Sequence, residues 1–283
     1  MKIIFYILTY NSSEVLSNCI DSVLQQVNLL SVDYEINILN NGSVDNTKDL
    51  ILSKIGNINY FENKTNMSFT YGFNRLFSSD TDGDIYCMMS DDVILESDIV
   101  NYCIQYYNKP INLKNIIGPK SILPNGHLDR INKKELNEID LLFGYTIIGT
   151  FYKKRSAEYN QNYSCNAEVL QDSCLFFSSL AKPFFRFDEK YKFYFTEDSL
   201  SISLRKAGFI LRYETEIYVT HFLKQATKKV KNTKINTIYM KDCMTYSRYN
   251  SNPLFHFIIF LPLMILTFCI KYFKWVLFKE DYH

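Results

Sequence analysis

Two places in the sequence set adjacent carboxylates where an apolar element ends. Asp91 and Asp92 follow the run DIYCMM (residues 84–89), and Glu197 and Asp198 stand in TED, ahead of a helical pattern carrying Leu200, Leu204 and Ala207. A charge at the end of a buried strand needs water, a partner or a metal ion. The first pair is therefore open to three readings: a polar strand end, a helix cap or a cation site. At the head of a helix, the second pair is also suited simply to the helix dipole.

The elements around these residues alternate. Residues 3–8 form an uninterrupted apolar run, as expected of a strand buried on both faces of a parallel sheet. The polar turn TYNSSE follows, with Asn11, Ser12 and Ser13 as candidate helix caps, and then Val15, Leu16, Cys19, Ile20, Val23 and Leu24 recur at helical spacing. The unit repeats: YEINIL, NINYFE and DIYCMM read as further strands, KDLILSKI and TYGFNRLFSS as helices, and Ser97 as the cap of a helix running to Tyr107. Four β-α units predict a doubly wound, mostly parallel sheet flanked by helices, with its ligand at the C-terminal ends of the strands. That rule selects residues 9–12, 40–45, 66–74 and 90–93 as site walls.

Composition excludes several classes. The 283 residues carry 31 Lys+Arg against 30 Asp+Glu, a formal charge of +1, so no global field favours nucleic acid. Neither G-x-G-x-x-G after the first strand nor G-x-x-x-x-G-K-[ST] is present, which argues against a dinucleotide enzyme and a P-loop ATPase. The 7 cysteines show no C-x-x-C pair and read as reduced thiols in a cytosolic setting. The opening MKIIFYILTYNSSE has too short an apolar run, and no small-residue cleavage site, for a signal peptide. The 22 Tyr and 22 Phe are read first as a core rich in large side chains and second as a stacking surface.

Beyond residue 109 the pattern weakens. NIIGPK reads as a strand, PNGH as a turn, VLQDSCLFFSS as strand-like, residues 187–208 as a loop and helix ended by Gly208, and FILRYE as another strand. Residues 254–270 carry no formal charge and approach the length that spans a bilayer, with Pro262 expected to kink them. Lys271, Lys274, Trp275 and Lys279 follow as candidate interfacial anchors. The expected organisation is a domain over 1–225 and a helical extension over 226–283 whose apolar segment, about 254–278, associates with membrane.

Five stretches in order resemble the family 2 glycosyltransferases of the GT-A fold, in particular rhamnosyltransferase-like bacterial members that build surface polysaccharides. They are ILTYNSSEVLSNCIDSVLQQ, LNNGSVDNT, NMSFTYGFN, SDDV and FDEKYKFYFTEDSLSISLRKAG, and the likeness covers roughly residues 2–222. It implies a nucleotide-sugar pocket formed by Thr9, Tyr10, Asn11, Asn40, Asn41, Ser43, Asn66 and Asn74, with Asn40 where the family often has an Asp contacting the base. It implies Asp92 as ligand to Mg2+ or Mn2+, with Ser90 where the first Asp of the metal motif often stands and Asp91 as a ribose or structural partner. His221 takes a place where some relatives have a metal- or phosphate-contacting histidine; a core histidine with satisfied polar atoms is the other reading. Asp198 becomes the general base with Glu197 beside it, and Arg205 either neutralises Glu197 or reaches the diphosphate.

The expected activity is inverting transfer of a sugar from a UDP- or dTDP-sugar donor to a glycan or lipid-linked acceptor at the cytoplasmic face of the cell membrane. Two rivals remain open. A sugar nucleotidyltransferase would need a Gly-rich, Arg- or Lys-bearing loop after the first strand, which TYNSSE is not. A membrane-tethered, non-catalytic protein of the same fold would be consistent with Ser90.

Overall fold

The apolar run at the N-terminus lies in the middle of a sheet and is buried on both faces. In the computed structural model, which describes residues 1–79, 81–129, 131–151, 161–223 and 232–278, β1 (Lys2–Thr9) pairs in parallel with β2 (Asp33–Asn40) and β4 (Ile85–Ser90). Ile3, Phe5 and Ile7 face one core with α1 (Ser13–Leu30), while Ile4, Tyr6 and Leu8 face another. A strand with both faces covered has no polar alternation to show, which is why its sequence reads as continuous.

Between these elements lie α2 (Thr47–Ser53), β3 (Ile58–Glu62) and α3 (Phe69–Phe77). After β4 come β5 (Val93–Leu95), α4 (Ile99–Tyr107), β6 (Asn115–Ile122), β7 (Asn132–Lys133), α5 (Glu138–Tyr145), α6 (Ile148–Phe151), β8 (Cys165–Ala167), β9 (Val169–Leu170) and β10 (Cys174–Ser178). The chain continues through α7 (Thr196–Lys206), β11 (Ile210–His221), α8 (Asn232–Asn250) and α9 (Leu261–Phe278). The main sheet has the order β3-β2-β1-β4-β10-β6-β11-β5, with β8 added on β11. Strands β1 to β4, β6 and β11 run the same way and β10, β5 and β8 run against them, so the sheet is mostly parallel, as the GT-A-type reading expects.

The aromatic residues fill the second core. Tyr6, Phe73, Phe77, Tyr86, Phe177, Phe185 and Phe187 are buried there, with Phe177 and Phe185 stacked at 3.8 Å between ring centroids. Among the described residues the cysteines form no disulfide.

Two helix starts differ from the sequence reading. The first turn of α1 is met not by Asn11, Ser12 or Ser13 but by Asp45 from the next loop, whose Oδ2 accepts the Ser13 hydroxyl at 2.9 Å and the Ser13 N–H at 3.3 Å. Its other oxygen takes the Thr47 N–H at the start of α2, so one carboxylate caps two helices. Ser97 does not cap α4: Asp98 occupies the N-cap position and Ser97 adopts φ +47.

The C-terminal segment docks on the body. A π-helical turn, Phe255–Phe260, runs without a break into α9, and Pro262, which has no N–H to give, stands just after this irregular turn. Phe260 and Met264 are buried with Leu141, Phe195, Ile202, Cys243 and Tyr246 in a third core, while Leu254, Phe257, Ile258, Ile265 and Leu266 are exposed on the outside. Among the described residues no helix is long and apolar enough to cross a membrane. The side chains of Lys271, Lys274 and Trp275, together with Lys279 and the expected boundary at 225–226, lie outside the described residues.

The loop after β2 depends on Gly42. Its φ is +80, and a Cβ there would stand 2.5 Å from the Thr65 carbonyl carbon and 2.8 Å from the Asn66 nitrogen, both backbone atoms that cannot swing away. Gly42→Ala is expected to lower stability by about 1–3 kcal/mol in urea denaturation. An unchanged midpoint would mean that the two loops are not held in contact.

Candidate active site

The loops at the C-terminal ends of β1 and β2 are joined by amides. The Asn11 N–H donates to Ser43 Oγ at 2.9 Å and Asn11 Oδ1 accepts the Val44 N–H at 2.8 Å, with Asn11 itself in the left-handed region at φ +53. Asn40 Oδ1 accepts the Ser43 N–H at 2.9 Å and its amide donates to the Tyr60 hydroxyl at 3.2 Å. Asn41 Oδ1 accepts from Asn63 at 2.8 Å and from the Met67 N–H at 3.1 Å, and its amide donates to the Ser68 carbonyl. Asn40 and Asn41 are buried, whereas Asn66 is exposed and folds back so that its Oδ1 accepts the Ser68 N–H. The asparagines expected to line the nucleotide therefore build the shape of its candidate loops.

Asn74 lies apart from this group. Its amide accepts the Phe187 N–H at 2.8 Å and donates to the Phe187 carbonyl at 2.9 Å, tying α3 to the segment before α7.

At the end of β4, next to Thr9 and Tyr10, stand the first two carboxylates. The Ser90 N–H donates to the Ser173 carbonyl at 2.8 Å and the Tyr10 N–H donates to Asp91 Oδ2 at 3.2 Å. Burial and the neighbouring charge of Asp92 push the Asp91 carboxyl up to about 6. Asp92 faces the end of β11, where His221 Nε2 lies 3.4 Å from its Oδ1, and the other ring nitrogen of His221 meets Asp129 Oδ2 at 2.9 Å. Burial would lower the imidazole, but the two carboxylates outweigh it and raise it to about 9. Of the two readings of His221, a histidine with both nitrogens engaged describes the geometry in full; it is equally the orientation in which a second carboxylate fixes a ligating imidazole.

Neighbouring acids form a second group. Lys133, from β7, pairs with Glu197 at the head of α7, and Thr196 donates its hydroxyl to Asp172 Oδ2 at 2.7 Å. Burial would raise Glu197, but Lys133 holds it below the usual carboxylate range. Burial and the Glu197 charge instead lift Asp198 to about 7, and the same two causes lift Asp172 to about 7. One lysine among three carboxylates thus fixes which acid keeps its charge and which two hold a proton near neutrality. The two groups adjoin in the chain, since Asp172 precedes the Ser173 that pairs with Ser90.

Arg205 does not reach Glu197; it pairs with Glu135, two residues after the lysine that holds Glu197. Lys133, Asp172 and Asp129 were not selected from the sequence. Only Asp172, in QDSC ahead of a strand, repeats the signal of a carboxylate at the edge of an apolar run.

Among the described residues no group of three or more His, Cys, Asp and Glu forms a metal-holding cluster. Asp92 and His221 are nonetheless a donor pair that suits a divalent cation sharing its shell with phosphate and water.

The Glycosyl transferase family 2 model matches residues 5–167, a stretch that contains Asp91, Asp92 and Lys133 and ends before Asp172, Asp198 and His221. No curated protein sequence matches. Among solved structures, the chain is similar to GalNAc-T7 with UDP, GalNAc and Mn2+, at 12% identity and TM-score 0.60 over 87% of this chain and 48% of that one. It is also similar to S. aureus TarS 1-349, at 11% identity and TM-score 0.52 over 88% of this chain and 74% of that one. At such identities the likeness shows a shared fold. The chain spans about half the length of the GalNAc-T7 chain.

Lys133→Met is expected to cost about 1–3 kcal/mol at pH 7, below the figure for a fully buried pair because 33% of the lysine side chain is exposed. Glu197 is held low when folded, so its contribution is present above the ordinary carboxylate pKa and is lost as acid protonates it. The gap from wild type in urea denaturation should therefore hold between pH 7 and pH 5 and narrow only below the ordinary carboxylate value of about 4.5. A gap that stays constant as the pH falls from 5 to 3 would remove the ion pair as its cause.

Proposed function

Because the chain belongs to glycosyl transferase family 2, we propose that it transfers a sugar from a UDP- or dTDP-sugar to a hydroxyl of a glycan or lipid-linked acceptor, with inversion. What carries this reading is the presence of two adjoining groups, Asp91, Asp92 and His221 where β4 and β11 end and Glu197 and Asp198 at the head of α7, linked through the Ser90–Ser173 contact, which would form two walls of one site. Thr9, Tyr10, Asn11 and the loop shaped by Asn40, Asn41 and Ser43 would receive the nucleotide.

A divalent cation, Mg2+ or Mn2+, held by Asp92 and His221 would displace the proton that the two carboxylates otherwise keep on the imidazole and would neutralise the diphosphate leaving group. Asp129 orients His221, keeping one imidazole nitrogen toward Asp92. On the other wall, Asp198 takes the proton of the acceptor hydroxyl as its oxygen bonds to the anomeric carbon. The bond from that carbon to the diphosphate oxygen breaks, and its electron pair leaves with the diphosphate. Lys133 keeps Glu197 occupied, so Asp198 is the carboxyl left free to receive the proton, and a value near 7 suits a base at neutral pH.

The sugar class is proposed as hexosyl or rhamnosyl and the role as surface polysaccharide synthesis. Association with the cytoplasmic face of the cell membrane is proposed through the exposed row Leu254, Phe257, Ile258, Ile265 and Leu266, which lies on the outside of the docked C-terminal segment.

Asp198→Asn keeps the size of the side chain but cannot accept the proton. Its kcat should fall by roughly 10²–10⁴ with donor affinity unchanged. In wild type, kcat should rise with pH through about 7 as Asp198 deprotonates, and this limb should vanish in the variant. Near-normal kcat in Asp198→Asn, with a large loss in Glu197→Gln, would move the role to Glu197.

A further inference from the structure

The segment that delivers Glu197 and Asp198 to the site carries no cap of its own. Phe195 occupies the N-cap position of α7 in the left-handed region, at φ +60, and offers no side-chain hydrogen bond to the helix. Left-handed backbone is costly for an aromatic residue and persists where the surroundings hold it. What holds it here comes from α8, about 50 residues further along the chain.

Asp242 on α8 is 1% exposed, and its carboxylate receives three successive backbone N–H groups. Lys192 donates to both oxygens at 3.1 Å, and Phe193 and Tyr194 each donate to Oδ2 at 2.9 Å. One turn further along α8, Tyr246 stacks on the Phe195 ring at 4.9 Å and 24° between planes, and Tyr145 of α5 covers Phe195 from another side at 5.3 Å. On the far side, Asn74 pins Phe187 and the Thr70 hydroxyl donates to the Tyr191 carbonyl at 2.9 Å. Residues 187–195 are thus stretched between α3 and α8, and the last fixed point before TED is Asp242.

A carboxylate gathering three consecutive amides is a strong and directional grip: an ionised acceptor forms shorter and stronger bonds than a neutral one, and successive N–H groups in a turn form a concavity that fits a single anion. We propose that Asp242 is a positioning residue for the base, setting through residues 192–195 where the α7 N-terminus places Asp198, and that α8 is therefore part of the catalytic unit. The proposal rests on the reading of Asp198 as the base. Among the described residues the hydrogen bonds that the Asp242 carboxylate accepts all come from backbone N–H groups before α7, so it would act on the reaction through Asp198 and not through Asp91, Asp92 and His221.

The test is steady-state kinetics on Asp242→Asn and Asp242→Glu, alone and combined with Asp198→Asn, beside nucleotide affinity by calorimetry. Asp242→Asn keeps one acceptor oxygen and turns an amide donor toward the N–H groups. It is expected to lower kcat by about 10–100-fold, with nucleotide affinity within about twofold of wild type and the acid limb of the kcat profile retained. Asp242→Glu keeps the charge but moves it by one methylene, and should fold and show a smaller loss of the same kind. In the Asp198→Asn background either change should cost little further kcat, because two residues acting on one step are not additive. Wild-type kcat and acceptor KM in a folded Asp242 variant would overturn the proposal. So would a loss that is fully additive with Asp198→Asn, or one that falls equally on nucleotide affinity, since either marks a general structural role. Full activity in Asp198→Asn alone would instead overturn the base reading, and is distinguished by that single variant.

Discussion

Buried carboxylates are stable only where a proton, a cation or a set of N–H donors stands beside them, and this chain buries several at one edge of its sheet. Each is met by a group from a distant part of the sequence. Asp91 takes the Tyr10 N–H across the β1–β4 edge, and Asp92 faces His221 at the end of β11. Glu197 has Lys133 from β7, and Asp242 holds three amides of the loop before α7. Satisfying the acids therefore fixes the loops relative to one another, and the same contacts that make burial tolerable also shape the candidate site.

The compensation is uneven, and the unevenness sorts the acids by role. Lys133 has one partner within reach of an ion pair, so Glu197 remains charged while Asp172 and Asp198 are left to hold protons near neutrality. At the end of β4, burial and then the neighbouring Asp92 raise Asp91, and the carboxylates on both sides draw His221 to its charged form, a proton that a cation would displace. On the proposed reading, one group would receive an anion with a cation and the other a proton. A donor whose leaving group is a diphosphate and an acceptor whose nucleophile is a hydroxyl require that division.

The parts of this arrangement that sequence made legible are those set by local pattern. The continuous run of residues 3–8 and the repeated strand-loop-helix units depend on burial within each element, and β1 to β4 with α1 to α4 follow from them. Asp91, Asp92 and the pair in TED stood out because a carboxylate beside an apolar run needs a reason. Their partners did not stand out. Lys133 sits in NKKE, in a two-residue strand with no periodicity, and Asp242 is one polar residue on a helix whose buried face is revealed only by what docks on it. Arg205 was expected to neutralise Glu197 or to reach the diphosphate, but it pairs with Glu135, from a segment whose path no local pattern predicts. The C-terminal segment shows the same limit: its apolar residues read as one class, yet Phe260 and Met264 are core while Leu254 and Ile258 face outward.

If the proposed site is right, one ligand lies between the two groups, with a cation on the Asp92–His221 side and Asp198 on the other. A crystal structure of the full chain soaked with UDP and Mn2+, measured at the manganese absorption edge, would then show an anomalous peak between Asp92 and His221, touching the diphosphate, with the Asp198 carboxylate facing the open end of that diphosphate. A peak elsewhere, or a nucleotide bound away from the loops after β1 and β2, would contradict it.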